Sequence, residues 1–256
     1  KEAALFVPTG TMANQIALRL NATPGSEVIA HAGAHLYNYE SAAAAALGGV
    51  QVRPIDSSDG SLPLELVRRA THDDSDPHLA RTTLIAFENT HNACGGVVVP
   101  FENIREVADF ARPLGIPMHL DGARLWNASA ASGRSLADLA APFDTVSVCF
   151  SKGLGAPAGS AIAGSKAAIH KALRLRKLQG GGMRQTGMFA AAALHALDHH
   201  LPLLSHDHHR ARALAETIAG CPGLGCEMSR VQSNLVYFFV EPGHPLGQLD
   251  GRGVPR

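Results

Sequence analysis

The sequence predicts an α/β fold built on a mainly parallel sheet, and three observations carry that expectation. Short apolar runs rich in β-branched residues recur along the chain, at residues 27–30, 83–88 and 146–150, each closed by turn-forming residues. Segments with helical spacing of apolar positions alternate with them, joined by short connections. The residues with chemical potential (lysine, aspartate, arginine, histidine) fall where those runs end, which is where parallel sheets bind ligands.

Taken in order, residues 2–8 read as a short strand, then the turn PTGT, then a helix over MANQIALRL. A strand, a glycine-containing turn and a helix present free backbone N–H groups to an anion. Thr9, Gly10 and Thr11 thus read either as a phosphate cup or as an ordinary helix start capped by Thr11. A strand at residues 27–30 leads into the loop HAGAHLYNYE and an alanine-rich helix at 41–47. In that loop His31, Tyr37 and Tyr39 read as local packing, while His35 is kept as a ring able to stack on a flat ligand. Residues 51–55 suggest a strand, 64–70 a short amphipathic helix, and THDDSDPH a solvated loop. The apolar strand at 83–88 runs into NTHNACGG, which puts His91 just beyond a strand end. Residues 101–111 carry a helical pattern ended by Gly115 and Pro117.

Residues 117–120 read as a strand with Asp121 at its carboxyl end and Arg124 three positions on, either a local ion pair or two groups facing one pocket. A helix over 133–140 precedes the strand at 146–150, and Lys152 follows directly. Burial at such a position disfavours an ammonium, and a neutral amine can attack an aldehyde to form an imine. The glycines and serines around it offer donors to an anion. Residues 160–163 suggest a further strand, 166–178 a basic helix, GGG before Met183 and Arg184 a flexible or close-approach segment, and 188–197 an apolar helix. His199, His200, His206, His208 and His209 are interleaved with charged residues and read as a solvated helix face, not as a metal site. SNLVYFFV, residues 233–240, reads as a strand opening a smaller domain.

Composition narrows the function classes. The 256 residues are 46% hydrophobic and 17% charged, with 22 basic and 22 acidic side chains, so nothing draws the chain to nucleic acid or an anionic membrane. Cys94, Cys149, Cys221 and Cys226 lack metal-ligand spacing and suggest reduced thiols in an intracellular, cytoplasmic protein. The apolar runs are too short to span a bilayer. A start at Lys1 already within an apolar strand, and an end at GVPR, suggest a piece of a longer protein.

The collected side chains suit an aldehyde cofactor that carries both a pyridine ring and a phosphate. Lysine binds pyridoxal phosphate as an imine, an aspartate partners its ring nitrogen, and an arginine can clamp a substrate carboxylate through two parallel hydrogen bonds. KEAALFVPTGTMANQIAL, AHLYNYE, FENTHNACGG, HLDGARLWNA, SVCFSKGLGAPAGS and RKLQGGGMRQTG stand in this order along nearly the whole chain. In these motifs the sequence resembles the low-specificity L-threonine aldolases, in the β-eliminating lyase group of fold-type I pyridoxal-phosphate enzymes.

That resemblance implies a seven-stranded large domain over residues 1–204 and the start of a smaller C-terminal α/β domain over 205–256. It implies pyridoxal 5'-phosphate as cofactor, with Lys152 as the imine-forming lysine, Asp121 as partner of the ring nitrogen, and Gly10 and Thr11 at the phosphate. His35 would stack on the ring and assist proton transfer. His91 would be a second active-site histidine near the substrate hydroxyl, and Arg124 would bind the substrate carboxylate. Lys177 and Arg184 would be basic positions near the phosphate, reached from a neighbouring subunit. The implied reaction is retro-aldol cleavage of L-threonine or L-allo-threonine to glycine and acetaldehyde, in a homo-oligomer built as a dimer of dimers. The family's N-terminal serine and a second carboxylate-binding arginine have no counterpart in these residues, and Cys94 departs from the family's usual loop. The competing readings are another pyridoxal-phosphate lyase or aminotransferase, and a truncated, non-catalytic relic. Product analysis with L-threonine separates the first, and the whole pyridoxal-phosphate reading requires that Lys152 and Asp121 open into one cavity.

Overall fold

In the computed structural model, which describes residues 1–248, seven strands form one sheet. They are β1 (Ala3–Val7), β2 (Glu27–His31), β3 (Gln51–Ile55), β4 (Thr82–Glu88), β5 (Met118–Gly122), β6 (Thr145–Cys149) and β7 (Ser160–Gly164), in the order β1-β7-β6-β5-β4-β2-β3. The pairs β2–β3, β2–β4, β4–β5 and β5–β6 are parallel. Only β7 opposes both its neighbours, β1 and β6. The sheet is therefore mixed, but six strands share one direction and their carboxyl ends share one edge.

Ten α-helices are described: α1 (Gly10–Asn21), α2 (His35–Asn38), α3 (Ala43–Ala46), α4 (Leu64–Ala70), α5 (Phe101–Ala111), α6 (Leu125–Ser132), α7 (Leu136–Ala140), α8 (Lys166–Leu178), α9 (Gly187–His199) and α10 (Leu204–Ala219). They cover both faces of the sheet, and the strand sequences show why. Along β2, Ile29 joins the core beneath α4, α5, α6 and α7, while Val28 and Ala30 join the core on the opposite face with Leu18 of α1. Along β4, Ile85 and Phe87 take the first face, Leu84 and Ala86 the second. A strand alternates sides residue by residue, so one that is apolar on both must be covered on both. At the β1–β7 edge, Leu5, Val7 and Ile162 pack with Ile16 of α1 and Ile169 of α8.

Several sequence expectations shift. Thr9, not Thr11, caps α1: its side chain accepts from Met12 N at 3.1 Å in extended backbone geometry. The helix expected over 41–47 contracts to α3, because Ser41 and Ala42 adopt positive φ (51° and 56°). The helix expected over 133–140 begins only at Leu136, and α6 stands before it; its LWNASAAS sequence carries no strong apolar period. The strand expected over 233–240 reduces to β9 (Phe238–Val240), paired antiparallel with β8 (Leu224–Cys226) in a separate two-stranded ribbon. α10 leads to that ribbon, while its His208 approaches Asn127 Nδ2 of α6 at 3.0 Å. The expected second domain, 205–256, extends past the described residues. Among the described residues, no helix is long and apolar enough to cross a membrane.

Candidate active site

A cavity of about 320 Å³ opens at the carboxyl edge of β4, β5 and β6, beside the start of α1. That volume falls within the range of small-molecule sites. Lys152, Asp121, Arg124, His35, Gly10 and Thr11 all line it. Four sequence intervals of the fold thus meet at one point: the first turn of α1, the first residue of α2, and the ends of β5 and β6.

Local chemistry explains each placement. α1 begins with Gly10 and Thr11, whose N–H groups precede any helical carbonyl able to accept them. A Cβ on Gly10 would lie 2.9 Å from Cys149 Sγ, so only glycine lets this turn settle against the end of β6. Lys152 sits in the tight connection from β6 to β7. There Phe150 N donates to Gly159 O at 3.0 Å, and Gly155 N donates to Lys152 O at 2.8 Å. Trp126 Nε1 donates to Cys149 O at 2.9 Å, anchoring the strand end that precedes the lysine. Arg124, half-buried, donates from Nη1 to Asn92 Oδ1 at 3.2 Å. The local ion pair considered for Asp121 and Arg124 is absent among the described residues; both groups instead face the cavity.

Behind the lining lies a dense polar network. Asp121, 3% exposed, accepts from Asn14 Nδ2 at 2.7 Å and from Ala123 N at 3.1 Å. Asn14 Nδ2 also donates to Glu40 Oε1 at 2.8 Å. With its amide nitrogen so committed, Asn14 Oδ1 accepts from Ser147 Oγ at 2.8 Å and from His119 Nε2 at 3.2 Å. His119 therefore carries its proton on Nε2, and its complete burial holds its pKa down to about 4. Glu40 accepts further from Gln15 Nε2 at 2.7 Å and from His35 Nδ1 at 3.0 Å. The Glu40 hydrogen bond raises the His35 pKa against the opposing effect of burial.

Glu88 pairs across strands with Asp121 and also lines the cavity. Its carboxylate accepts from His35 N at 2.7 Å and from Asn92 N at 2.9 Å. Desolvation first, and the Asp121 charge second, push its pKa up to about 7. Glu88, Glu40 and Asn14 were not singled out in the sequence. A carboxylate closing the otherwise apolar run TLIAFE was the available signal for Glu88. Glu40 and Asn14 gave none, since a polar residue in a loop or helix ordinarily faces solvent.

Three of the sequence-predicted site residues do not reach the cavity. His91 is fully buried behind it, edge-on to His31 with ring centroids 4.3 Å apart and hard against Gly60. Burial, then the neighbouring His31, lower its pKa to about 4. Its Nδ1 accepts from Cys94 N at 3.3 Å, so Nε2 bears the hydrogen and has no partner among the described residues. Donor atoms of His31, His91 and Cys94 lie within 4.8 Å of one another. Both His31 nitrogens, however, already engage backbone, with Gly33 N at 2.9 Å and Ser57 O at 3.0 Å, so a metal would have to displace them. Lys177 lies in the last turn of α8 against Gly182, and Arg184 is exposed in the following loop; neither lines the cavity of this chain.

Comparison with known proteins follows the same outline. A family model described as β-eliminating lyase matches residues 1–241. Low-specificity L-threonine aldolase 1 of Arabidopsis thaliana is 42% identical over 249 residues, covering 96% of this chain and 70% of the relative. The low specificity L-threonine aldolase of Escherichia coli (strain K12) is 42% identical over 241 residues, covering 94% of this chain and 70% of the relative. Among solved structures, a candidate L-allo-threonine aldolase from Listeria monocytogenes EGD-E superposes with a TM-score of 0.82 at 26% identity. That match covers 94% of this chain and 65% of the other, so the chain spans just under two thirds of that structure's length. An aspartate aminotransferase of Thermus thermophilus, 18% identical with a TM-score of 0.67, shares the fold.

Proposed function

The chain belongs to the β-eliminating lyase family, and from that premise we propose that it cleaves β-hydroxy-α-amino acids, L-threonine and L-allo-threonine, to glycine and an aldehyde. The observation that carries this reading is the shared cavity: Lys152, Asp121, Arg124, His35 and the start of α1 all open into it. The family works with pyridoxal 5'-phosphate, and the donor set suits that group. Lys152 would hold its aldehyde, Asp121 its ring nitrogen, and the Gly10 and Thr11 N–H groups its phosphate. When bound, the cofactor supplies an electron sink for the pair released as the Cα–Cβ bond of the substrate breaks.

The rest of the chemistry belongs to the protein's own residues. Arg124, steadied by Asn92, offers its remaining N–H groups to the substrate carboxylate and so fixes which bond at Cα faces the ring. Asn14 and Ala123 N hold Asp121 in one orientation as a fixed negative charge. His35, with Nδ1 bound to Glu40, presents the other side of its ring to the cavity and is the side chain placed to carry a proton there. His91, sealed away in this chain, is assigned no contact with the substrate hydroxyl. Assembly as a dimer of dimers, completion of the phosphate site by Lys177 and Arg184, a separate domain over residues 205–256, and residence in the cytoplasm are parts of the same proposal.

The test is product analysis. With pyridoxal phosphate and L-threonine or L-allo-threonine, the protein should release glycine and acetaldehyde in equal amounts. Release of a keto acid or ammonia instead, or no turnover of either substrate, would overturn the reading.

A further inference from the structure

We propose that Glu40, a buried carboxylate outside the cavity, is a positioning residue for His35, and that Asn14 ties this pair to Asp121 in one rigid frame. The inference rests on the functional reading above for its consequence in catalysis, but not for its geometry. Glu40 is 4% exposed and its side chain is wholly buried. It accepts three side-chain donors: Asn14 Nδ2 at 2.8 Å, Gln15 Nε2 at 2.7 Å and His35 Nδ1 at 3.0 Å. A carboxylate in such a position only accepts, so the proton on His35 Nδ1 is fixed and Nε2 is the nitrogen left for the cavity. The same Asn14 nitrogen that binds Glu40 binds Asp121 Oδ2 at 2.7 Å. The group proposed to lie over the cofactor ring and the group proposed to bind its nitrogen therefore share one amide. Neither can swing without breaking a buried hydrogen bond, each worth roughly 1.5–3 kcal/mol when one partner is charged.

The charged and titratable groups around His35 come from four sides. Glu40 and Tyr39 follow α2, Glu88 ends β4, Asp121 and Arg124 lie at and just beyond β5, and Lys152 follows β6. Among the described residues, only Glu40 bonds an imidazole nitrogen of His35. The three carboxylates all favour a protonated ring, and the Glu40 hydrogen bond is the largest influence.

Glu40→Gln separates this role from general support of the fold. On the Oε1 side an amide nitrogen would meet the Asn14 and His35 N–H groups, and on the Oε2 side that of Gln15, so one orientation opposes two donors and the other opposes one. The measurement is the titration of His35 by NMR in histidine-labelled protein without added cofactor, assigned by its loss in His35→Gln. The midpoint should lie above the ordinary value of about 6.5 in the wild type and fall by about one pH unit or more in Glu40→Gln. In the loaded enzyme kcat should drop at least about tenfold with little change in the KM for the amino acid. Glu40→Asp, which keeps the charge on a shorter arm, should restore part of both, and it carries the test if Glu40→Gln does not fold. An unmoved His35 titration in a folded variant would overturn the proposal, even in an active aldolase. A shifted titration in a protein that releases no glycine would sink the functional reading and leave this one standing.

Discussion

His35 and His91 are two imidazoles that both feel the charge of Asp121, one lining the cavity and the other buried outside its lining. His35 stands on the open side, half-buried, hydrogen-bonded to Glu40, with its pKa raised. His91 stands on the sealed side, wholly buried beside a second imidazole, with its pKa lowered to about 4. The difference comes from neighbours and water, not from the residue type: a buried acceptor holds a proton on one ring, and burial next to His31 denies it to the other. The open side is built for proton and charge handling. The sealed side is packing that happens to contain nitrogen.

The sharpest way to break that comparison is to remove the central group of the open side. Lys152→Ala should lower cleavage of L-threonine by at least about a thousandfold, the order seen when a covalent catalytic group is lost. Because Lys152 lies in a loop and is only half-buried, the thermal midpoint should change little. The visible absorbance of bound cofactor should change as well. Activity within tenfold of wild type would remove Lys152 from the site.

Gly60→Ala attacks the sealed side. Gly60 adopts φ +76°, and a Cβ there would lie 2.7 Å from His91 Cβ and Cγ. The left-handed backbone costs a side-chain-bearing residue roughly 1–2 kcal/mol, and overpacking a close core about 1–3 kcal/mol more. The expected result is a melting temperature lower by several degrees, with kcat in the surviving folded fraction close to wild type. A large loss of kcat at unchanged stability would show that His91 does reach the chemistry, and the division into two sides would fail.

How far the sequence disclosed these two sides differs too. The strands were legible because residues buried on both faces leave continuous apolar runs, as in 146–150, and a parallel sheet gathers their ends at one edge. Lys152, Asp121, Arg124 and His35 could be brought together on that argument alone. What stayed hidden depends on side-chain direction at a distance. Nothing local distinguishes His91, turned inward against Gly60, from His35, turned to the cavity; both follow strands and both precede polar loops. Glu40 and Asn14 meet only in the folded chain, across 26 residues of sequence. The missed helix α6 and the shortened β9 have the opposite cause. LWNASAAS lacks an apolar stripe, and SNLVYFFV has one that stays largely exposed, with Tyr237, Phe238 and Phe239 each at least half accessible.

The finest test of the comparison uses stability against pH. His91 and His119 are each lowered from 6.5 to about 4, so between those values the unfolded chain binds their protons and the folded chain does not. Their contribution is present above pH 6.5 and is lost as the pH falls toward 4. Glu88, raised from 4.5 to about 7, has the opposite sign: its contribution is present below pH 4.5 and is lost as the pH rises through 7. Each group changes the unfolding free energy by up to about 1.4 kcal/mol per pH unit. Between pH 4.5 and 6.5 two histidines oppose one carboxyl, so stability should rise with pH at a net slope of up to about 1.4 kcal/mol per unit. Glu88→Gln removes the opposing group, and the slope should approach roughly 2.8 kcal/mol per unit. Above pH 6.5 the sign reverses, because Glu88 and the raised His35 are then the groups still losing protons only from the folded state. Urea unfolding of the wild type and Glu88→Gln across pH 4.5–8 reads both limbs. A variant no steeper than wild type on the acid limb would mean that Glu88 is ionised throughout, and that burial beside the Asp121 charge does not hold a proton on it.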